Sequence, residues 1–206
     1  MKKNYLKIKF SFLIKAFIFY FLLFFEVHAD NLNSNNFVSI GSEKAPVKIK
    51  IFSSLTCPHC ANFHNNIVPK IKENYIETGE VQLIFIDFPL DEIAFNASKL
   101  LHCLDEKKQI SFLDKIYKDQ AKWVAATNNI EINKNLKKIA INFGLNLTES
   151  DKCLVNEEIS DKILNGRIQA NKKYSINSTP TIIINEKKLK GSTSFENIKK
   201  KIEKII

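Results

Sequence analysis

VKIKIFSSLTCPHCANFHNNI, residues 47–67, changes its hydrophobic period partway along. Val47, Ile49 and Ile51 alternate with Lys48 and Lys50 and run into Phe52, the two-residue period of a strand. Cys57-Pro58 then opens a helix, because proline is tolerated in a first helical turn. Ala61, Phe63, Ile67 and Ile71 follow at helical spacing, and Pro69 is expected to kink or break that helix. Gly79 ends the unit, and Val81–Phe88 (VQLIFIDF) is a short apolar run suited to a buried strand. Strand, helix and strand in this order imply a parallel βαβ unit.

Downstream, from about Asp91 to Ile168, only helical patterns occur. Ala94, Ala97, Leu100, Leu101 and Leu104 mark one helix, Phe112, Leu113, Ile116 and Tyr117 the next, and Leu136, Ile139 and Ala140 a third that Gly144 stops. Thr181–Asn185 (TIIIN) is again a strand, Glu186-Lys187 the expected turn, and Leu189-Lys190-Gly191 the expected return. Phe195–Ile206 closes as an amphipathic helix with Phe195, Ile198, Ile202 and Ile205 on one stripe. Upstream, residues 30–45 are rich in Asn and Ser and read as a loose entry segment. The expectation is one α/β domain over residues 30–206, divided by an all-helical insertion at about 91–168.

The first 29 residues have a different character. Five lysines between Lys2 and Lys15 precede ten uninterrupted apolar residues, Ala16 to Phe25, and Val27-His28-Ala29 supplies a small residue for cleavage. That order matches a secretory leader. A spanning helix needs about 20 apolar residues, so an uncleaved anchor is the weaker reading. Cleavage after Ala29 removes five Lys and one Glu and takes the formal charge from +9 to +5. The remaining lysines are interspersed with acids, and no nucleic-acid motif is present. Nucleic acid is therefore not an expected partner.

All four cysteines, Cys57, Cys60, Cys103 and Cys153, lie beyond the leader, which fits an oxidising compartment. Cys57 sits where backbone N–H groups and the positive end of the helix dipole favour a thiolate, and His59 adds a cation or donor beside it. Cys60 falls one turn in. Cys57 is thus the expected attacking thiol and Cys60 the resolving one. A structural disulfide, or half of a zinc or copper site, are the alternatives. Cys103 and Cys153, 50 residues apart, do not supply the second Cys-x-x-Cys that a metal site would favour.

Three stretches together are similar to the DsbA family of thioredoxin-fold proteins. Ser54–His64 (SLTCPHCANFH) resembles its active-site segment, with Pro58-His59 as the dipeptide of strongly oxidising members. Asp87-Phe88-Pro89-Leu90 resembles its exit into the helical insertion, and Ser178-Thr179-Pro180-Thr181 its cis-proline loop. The resemblance implies a periplasmic, cofactor-free and metal-free oxidase of reduced exported proteins, re-oxidised by a quinone-linked membrane partner. A monomer is expected. It also implies catalytic roles for Cys57, Pro58, His59 and Cys60, and a cis Pro180 that leaves Thr179 beside the dithiol to pair with substrate. Thr before that proline also occurs in isomerases, so an isomerase or reductase of the same fold stays open. A structural Cys103–Cys153 disulfide is implied too, with two free buried thiols as its alternative. Ile51 stands where family members often carry a buried acid, so another group must accept the Cys60 proton. His64 is expected to be superficial or partly buried, and His102 structural.

Overall fold

The computed structural model describes residues 37–206, so the expected leader lies outside the described residues. The strands are β1 (Val38–Ile40), β2 (Val47–Ser53), β3 (Val81–Asp87), β4 (Thr181–Ile184) and β5 (Lys187–Lys188). They form a single sheet in the order β1-β3-β2-β4-β5. β2 and β3 are parallel, with Val47 opposite Val81 and Ser53 opposite Asp87. The pairings β1–β3, β2–β4 and β4–β5 are antiparallel.

Alternation on β2 and β3 divides the core between the two faces of the sheet. Val47, Ile49, Ile51, Leu83 and Phe85 pack on one face with Phe63, Ile71 and Ile198. Phe52, Ile84 and Ile86 pack on the other with Ala170, Tyr174 and Ile176. The chain leaves β2 into α1 (Pro58–Asn66), restarts as α2 (Val68–Ile71) with Pro69 in its first turn, and ends in a π-helical turn over Lys72–Ile76. The expected break at Pro69 is thus a new helix start, where a proline's missing N–H costs nothing.

Between β3 and β4 run α3 (Glu92–Cys103), α4 (Glu106–Lys118), α5 (Gln120–Trp123), α6 (Asn129–Ile141), α7 (Leu147–Leu154) and α8 (Glu157–Tyr174). The helical run reaches Tyr174 rather than Ile168 because Ala170 and Tyr174 are still buried against the sheet. Asp91 caps α3 by accepting from Ala94 N at 2.7 Å, a contact that contributes about 1 kcal/mol. Asn146 and Glu149 form a capping box on α7. The last helix is α9 (Phe195–Ile202).

Three expectations are corrected. Residues 38–40, taken as loose, form an edge strand, because Val38 is buried and the segment pairs with β3. The turn after β4 falls on Asn185 and Glu186, both at positive φ, so the return strand is Lys187–Lys188. The Asn185 side chain fixes that turn, accepting from Lys48 N at 2.7 Å and donating to Pro46 O at 3.0 Å. The final helix stops at Ile202, and Ile205 is 43% exposed rather than packed. Among the described residues, no helix is long and apolar enough to cross a membrane.

Candidate active site

β2 ends beneath the start of α1 and delivers the loop Ser54–Cys57 to the edge of the core. Cys57 is the N-cap of α1 in extended conformation, Pro58 follows in the first turn, and Ala61 N donates to Cys57 O at 3.1 Å. Proline suits this place because its fixed φ is already helical and its absent N–H would have had no partner. Cys57 is half-buried, while Cys60, one turn in, is 1% exposed. Both are free thiols. Pro58 and His59 are exposed on the outer side of the turn.

The second wall of the site comes from the far end of the chain. The Thr179–Pro180 peptide is cis, and the Cys57 thiol donates to Thr179 O at 3.5 Å. The hydroxyl of Thr179 is buried. Residues 57–60 and 179–180 thus form one site although about 120 positions separate them.

Burial pushes the Cys60 thiol up to about 12. The Thr179 hydroxyl and the Ser54 backbone pull it the other way, and the adjacent Cys57 raises it further. A thiol at that value is almost wholly protonated at neutral pH, so Cys60 is a reluctant nucleophile.

Several residues that motif reading did not single out hold this geometry. Gln120, 6% exposed, donates through Nε2 to Leu55 O at 2.8 Å and to Cys57 O at 3.1 Å. It clamps the loop with both donors of one amide. Thr56 donates to Asp91 Oδ2 at 2.5 Å, while the other carboxylate oxygen caps α3. Ser54 accepts from Leu90 N at 3.4 Å. The only sequence signal for any of these was a capping residue at Asp91, just ahead of the helical pattern of Ala94 and Ala97. His64 is a correction: it is 5% exposed rather than superficial. It is hydrogen-bonded to Asp114 at 2.7 Å and stacked on Tyr117 at a centroid distance of 4.7 Å. His102 lies 2.6 Å from Asp87.

Cys103, at the end of α3, and Cys153, in α7, are joined as a disulfide with Cα atoms 6.1 Å apart. Among the described residues, no group of three or more His, Cys, Asp or Glu side chains could hold a metal ion.

The model of the family described as Thioredoxin matches residues 33–204. The chain belongs to the DsbA-like thioredoxin family. It is 31% identical to the crystal structure of Wolbachia pipientis alpha-DsbA1, with a TM-score of 0.74, covering 82% of this chain and 90% of that one. It is 28% identical over 174 residues to the probable disulfide bond formation protein D of Bacillus anthracis, covering 81% of this chain and 76% of that protein. The oxidised BdbD of Bacillus subtilis, 24% identical with a TM-score of 0.71 and covering 82% and 92% of the two chains, shares the fold. A DsbA-like fold, a paired thiol at a helix start and these relatives make the chain a thiol–disulfide oxidoreductase.

Proposed function

We propose that this oxidoreductase introduces disulfides into reduced exported proteins, using the Cys57–Cys60 disulfide as the oxidant. The observation that carries the reading is the asymmetry of the pair, a half-buried Cys57 at a helix start and a buried Cys60 held near 12. A substrate thiolate attacks Cys57 Sγ, the Cys57–Cys60 bond breaks, and Cys60 leaves as a thiolate that takes up a proton. With its pKa near 12, Cys60 at pH 7 is a thiolate in roughly one molecule in 100,000. It therefore seldom attacks back. The substrate's second thiolate resolves the mixed disulfide instead, releasing Cys57. The substrate loses two electrons and two protons, and the enzyme ends as the dithiol.

Thr179 supports the reading from the other wall. Its carbonyl meets the Cys57 thiol, so an extended substrate lying along residues 178–180 would pair with this backbone and present its sulfur to Cys57. His59, exposed beside Cys57, is assigned the role of cation or donor to that sulfur. One observation favours the isomerase or reductase alternative: the Thr179 hydroxyl lowers Cys60 and so speeds its return attack. Export rests on the composition of residues 1–29, and the Cys103–Cys153 bond fits an oxidising compartment. The dithiol left by each turnover calls for a re-oxidant, assigned to a quinone-linked membrane partner, and the chain is assigned as a monomer.

The test is to mix the oxidised protein with a reduced two-cysteine peptide and with a scrambled protein. Stoichiometric peptide disulfide, with little unscrambling, is the expected result. Efficient unscrambling with little net oxidation would overturn the oxidase assignment. The mass of the protein recovered from the cell envelope should begin at Asp30.

A further inference from the structure

The positive charge of this chain is gathered at one end. Residues 181–206 hold seven Lys and three Glu, a formal +4 out of the +5 that remains beyond Ala29. Five of those lysines, on β5, in the segment after it and around the end of α9, line one groove of about 770 Å³. That is the size of a ligand-binding pocket rather than of a packing gap. Its floor is apolar, made by Ile184 of β4, Leu189 and Ile205, and none of its lining residues is acidic. The acids that flank it in sequence are committed elsewhere: Glu186 pairs with Lys50 and Lys173, and Glu203 with Lys199. Lys187, Lys190, Lys201 and Lys204 are exposed and, among the described residues, form no ion pair. Like charges around one groove repel until an anion enters it.

The groove runs beside a free edge of the sheet. β5 is the last strand in the order, and its outer edge is unpaired among the described residues. Leu189 N donates to Ile182 O at 2.9 Å, so the alternation of an antiparallel pair turns the N–H and C=O of Lys188, opposite Ile183, away from β4. An extended chain can bond to them there. Lysine on an edge strand deters a second copy docking edge to edge, because its own lysines would be brought opposite. The same lysines select an acidic strand. The site is separate from the dithiol: Ile184 lies opposite Ile49 near the start of β2, whereas Cys57 follows the other end of that strand.

We propose that the groove between β5 and the end of α9 is a docking site for an extended acidic segment of a partner protein. Apolar side chains of the segment rest on Ile184, Leu189 and Ile205, its carboxylates meet the surrounding lysines, and its backbone pairs with Lys188. A strand places successive side chains on opposite faces, so a segment that mixes Asp or Glu with apolar residues satisfies floor and rim together. A concave floor fits such a segment better than it fits a flat membrane surface. β5 offers one outward pair of backbone groups, so charge and apolar contact carry most of the affinity. No step passes through Cys57 or Cys60, and docking and dithiol exchange are therefore separable.

The test is fluorescence anisotropy of a short labelled peptide of alternating Glu and Leu, titrated with the oxidised full chain. Saturable binding is expected, and a peptide of alternating Lys and Leu should show none. Lys187→Gln, Lys201→Gln and Lys204→Gln combined should weaken binding on the order of tenfold, as three exposed ion pairs are lost together. All three side chains are exposed, so this variant should melt at the parental temperature and oxidise an acid-free, reduced two-cysteine peptide at the parental rate. In about 1 M salt, where the screening length falls to about 3 Å, parent binding should weaken and the gap to the variant should close. Ile205→Ser, at a position 43% exposed, should weaken binding severalfold through the floor alone. Methylating the backbone nitrogens of the Glu-Leu peptide keeps its charge, removes its donors and should also weaken it severalfold. Binding that is equal in the triple variant, for the Lys-Leu peptide or for the methylated peptide overturns the proposal. So does lysine-dependent binding to phosphatidylglycerol vesicles with none to the Glu-Leu peptide, which would make this surface a membrane contact.

Discussion

The molecule holds two cysteine pairs of opposite design. Cys57 and Cys60 share one turn at the start of α1, and their environments differ sharply, one half-buried against a loop and one sealed in the core. Cys103 and Cys153, 50 residues apart, come from the end of α3 and from α7 and meet in the helical region; neither caps the start of a helix. The first pair can open and close with little movement of the backbone, because its ring spans four residues of one turn. The second closes a long loop, so its effect is on the unfolded chain. Reactivity in this protein follows from asymmetry within a short ring, and stabilisation from the length of a large one.

The largest effect should come from breaking the short ring. Cys57→Ser should abolish turnover of a reduced peptide. Cys60→Ser should instead accumulate a mixed disulfide through Cys57, visible by mass spectrometry of the quenched reaction. Comparable peptide oxidation by Cys57→Ser would erase the functional difference between the two cysteines.

The asymmetry within that ring can be sharpened by pH. A Cys60 near 12, against 9.0 for an ordinary thiol, has roughly 1,000-fold less thiolate at any pH below 9. In Cys57→Ser, alkylation of Cys60 by iodoacetamide should be slow at pH 8 and rise about tenfold per pH unit without a plateau below pH 11. Linkage has a definite sign here. The folded state holds this proton more tightly than the unfolded state, so the stability of the variant should fall as pH rises above 9. A plateau near pH 9 would remove the asymmetry.

Opening the large ring should act on stability alone. Cys103→Ala with Cys153→Ala should cost about 4 kcal/mol in the chain-entropy model, or a melting temperature lower by roughly 10 °C. Peptide oxidation at 25 °C should be retained. A loss of turnover without unfolding would show that the second pair is not passive. The smallest effect belongs to a half-exposed carboxylate in the turn after β4. Burial would raise Glu186, but Lys173 at 2.7 Å, Lys50 and the Tyr174 hydroxyl at 2.5 Å bring it down to about 2. Its depressed value contributes stability above about pH 4.5 that is lost as pH falls towards 2. Because the side chain is 53% exposed, Glu186→Gln should flatten the acid limb of urea denaturation by less than about 1 kcal/mol and leave both sulfur pairs unchanged.

The division between what could be read along the chain and what could not follows the range of the interactions. Strand alternation at Val47–Phe52, the helix started by Pro58, the apolar run of β3 and the helical character after Asp91 are consequences of neighbours within a few residues. The Cys57-Pro58-His59-Cys60 turn is a feature of the same range, and so its place at a helix start was legible. Edge strand β1 was not, because its three residues are a strand only through pairing with β3, more than 40 positions on. The turn at Asn185-Glu186 was placed late for a similar reason: its geometry is held by Lys48 and Pro46.

Tertiary structure alone decided which distant groups share the dithiol's space. It set the Thr179 carbonyl against Cys57 and the Gln120 amide under the loop, and it buried Cys60 deeply enough to reach about 12. It also joined Cys103 to Cys153 and set His102 against Asp87 at the end of β3. Periodicity and motif spacing specify local conformation and the nature of a reactive group. Burial and long-range contact set that group's proton affinity and its partners, and both arise only when segments 30 to 120 residues apart exclude water together.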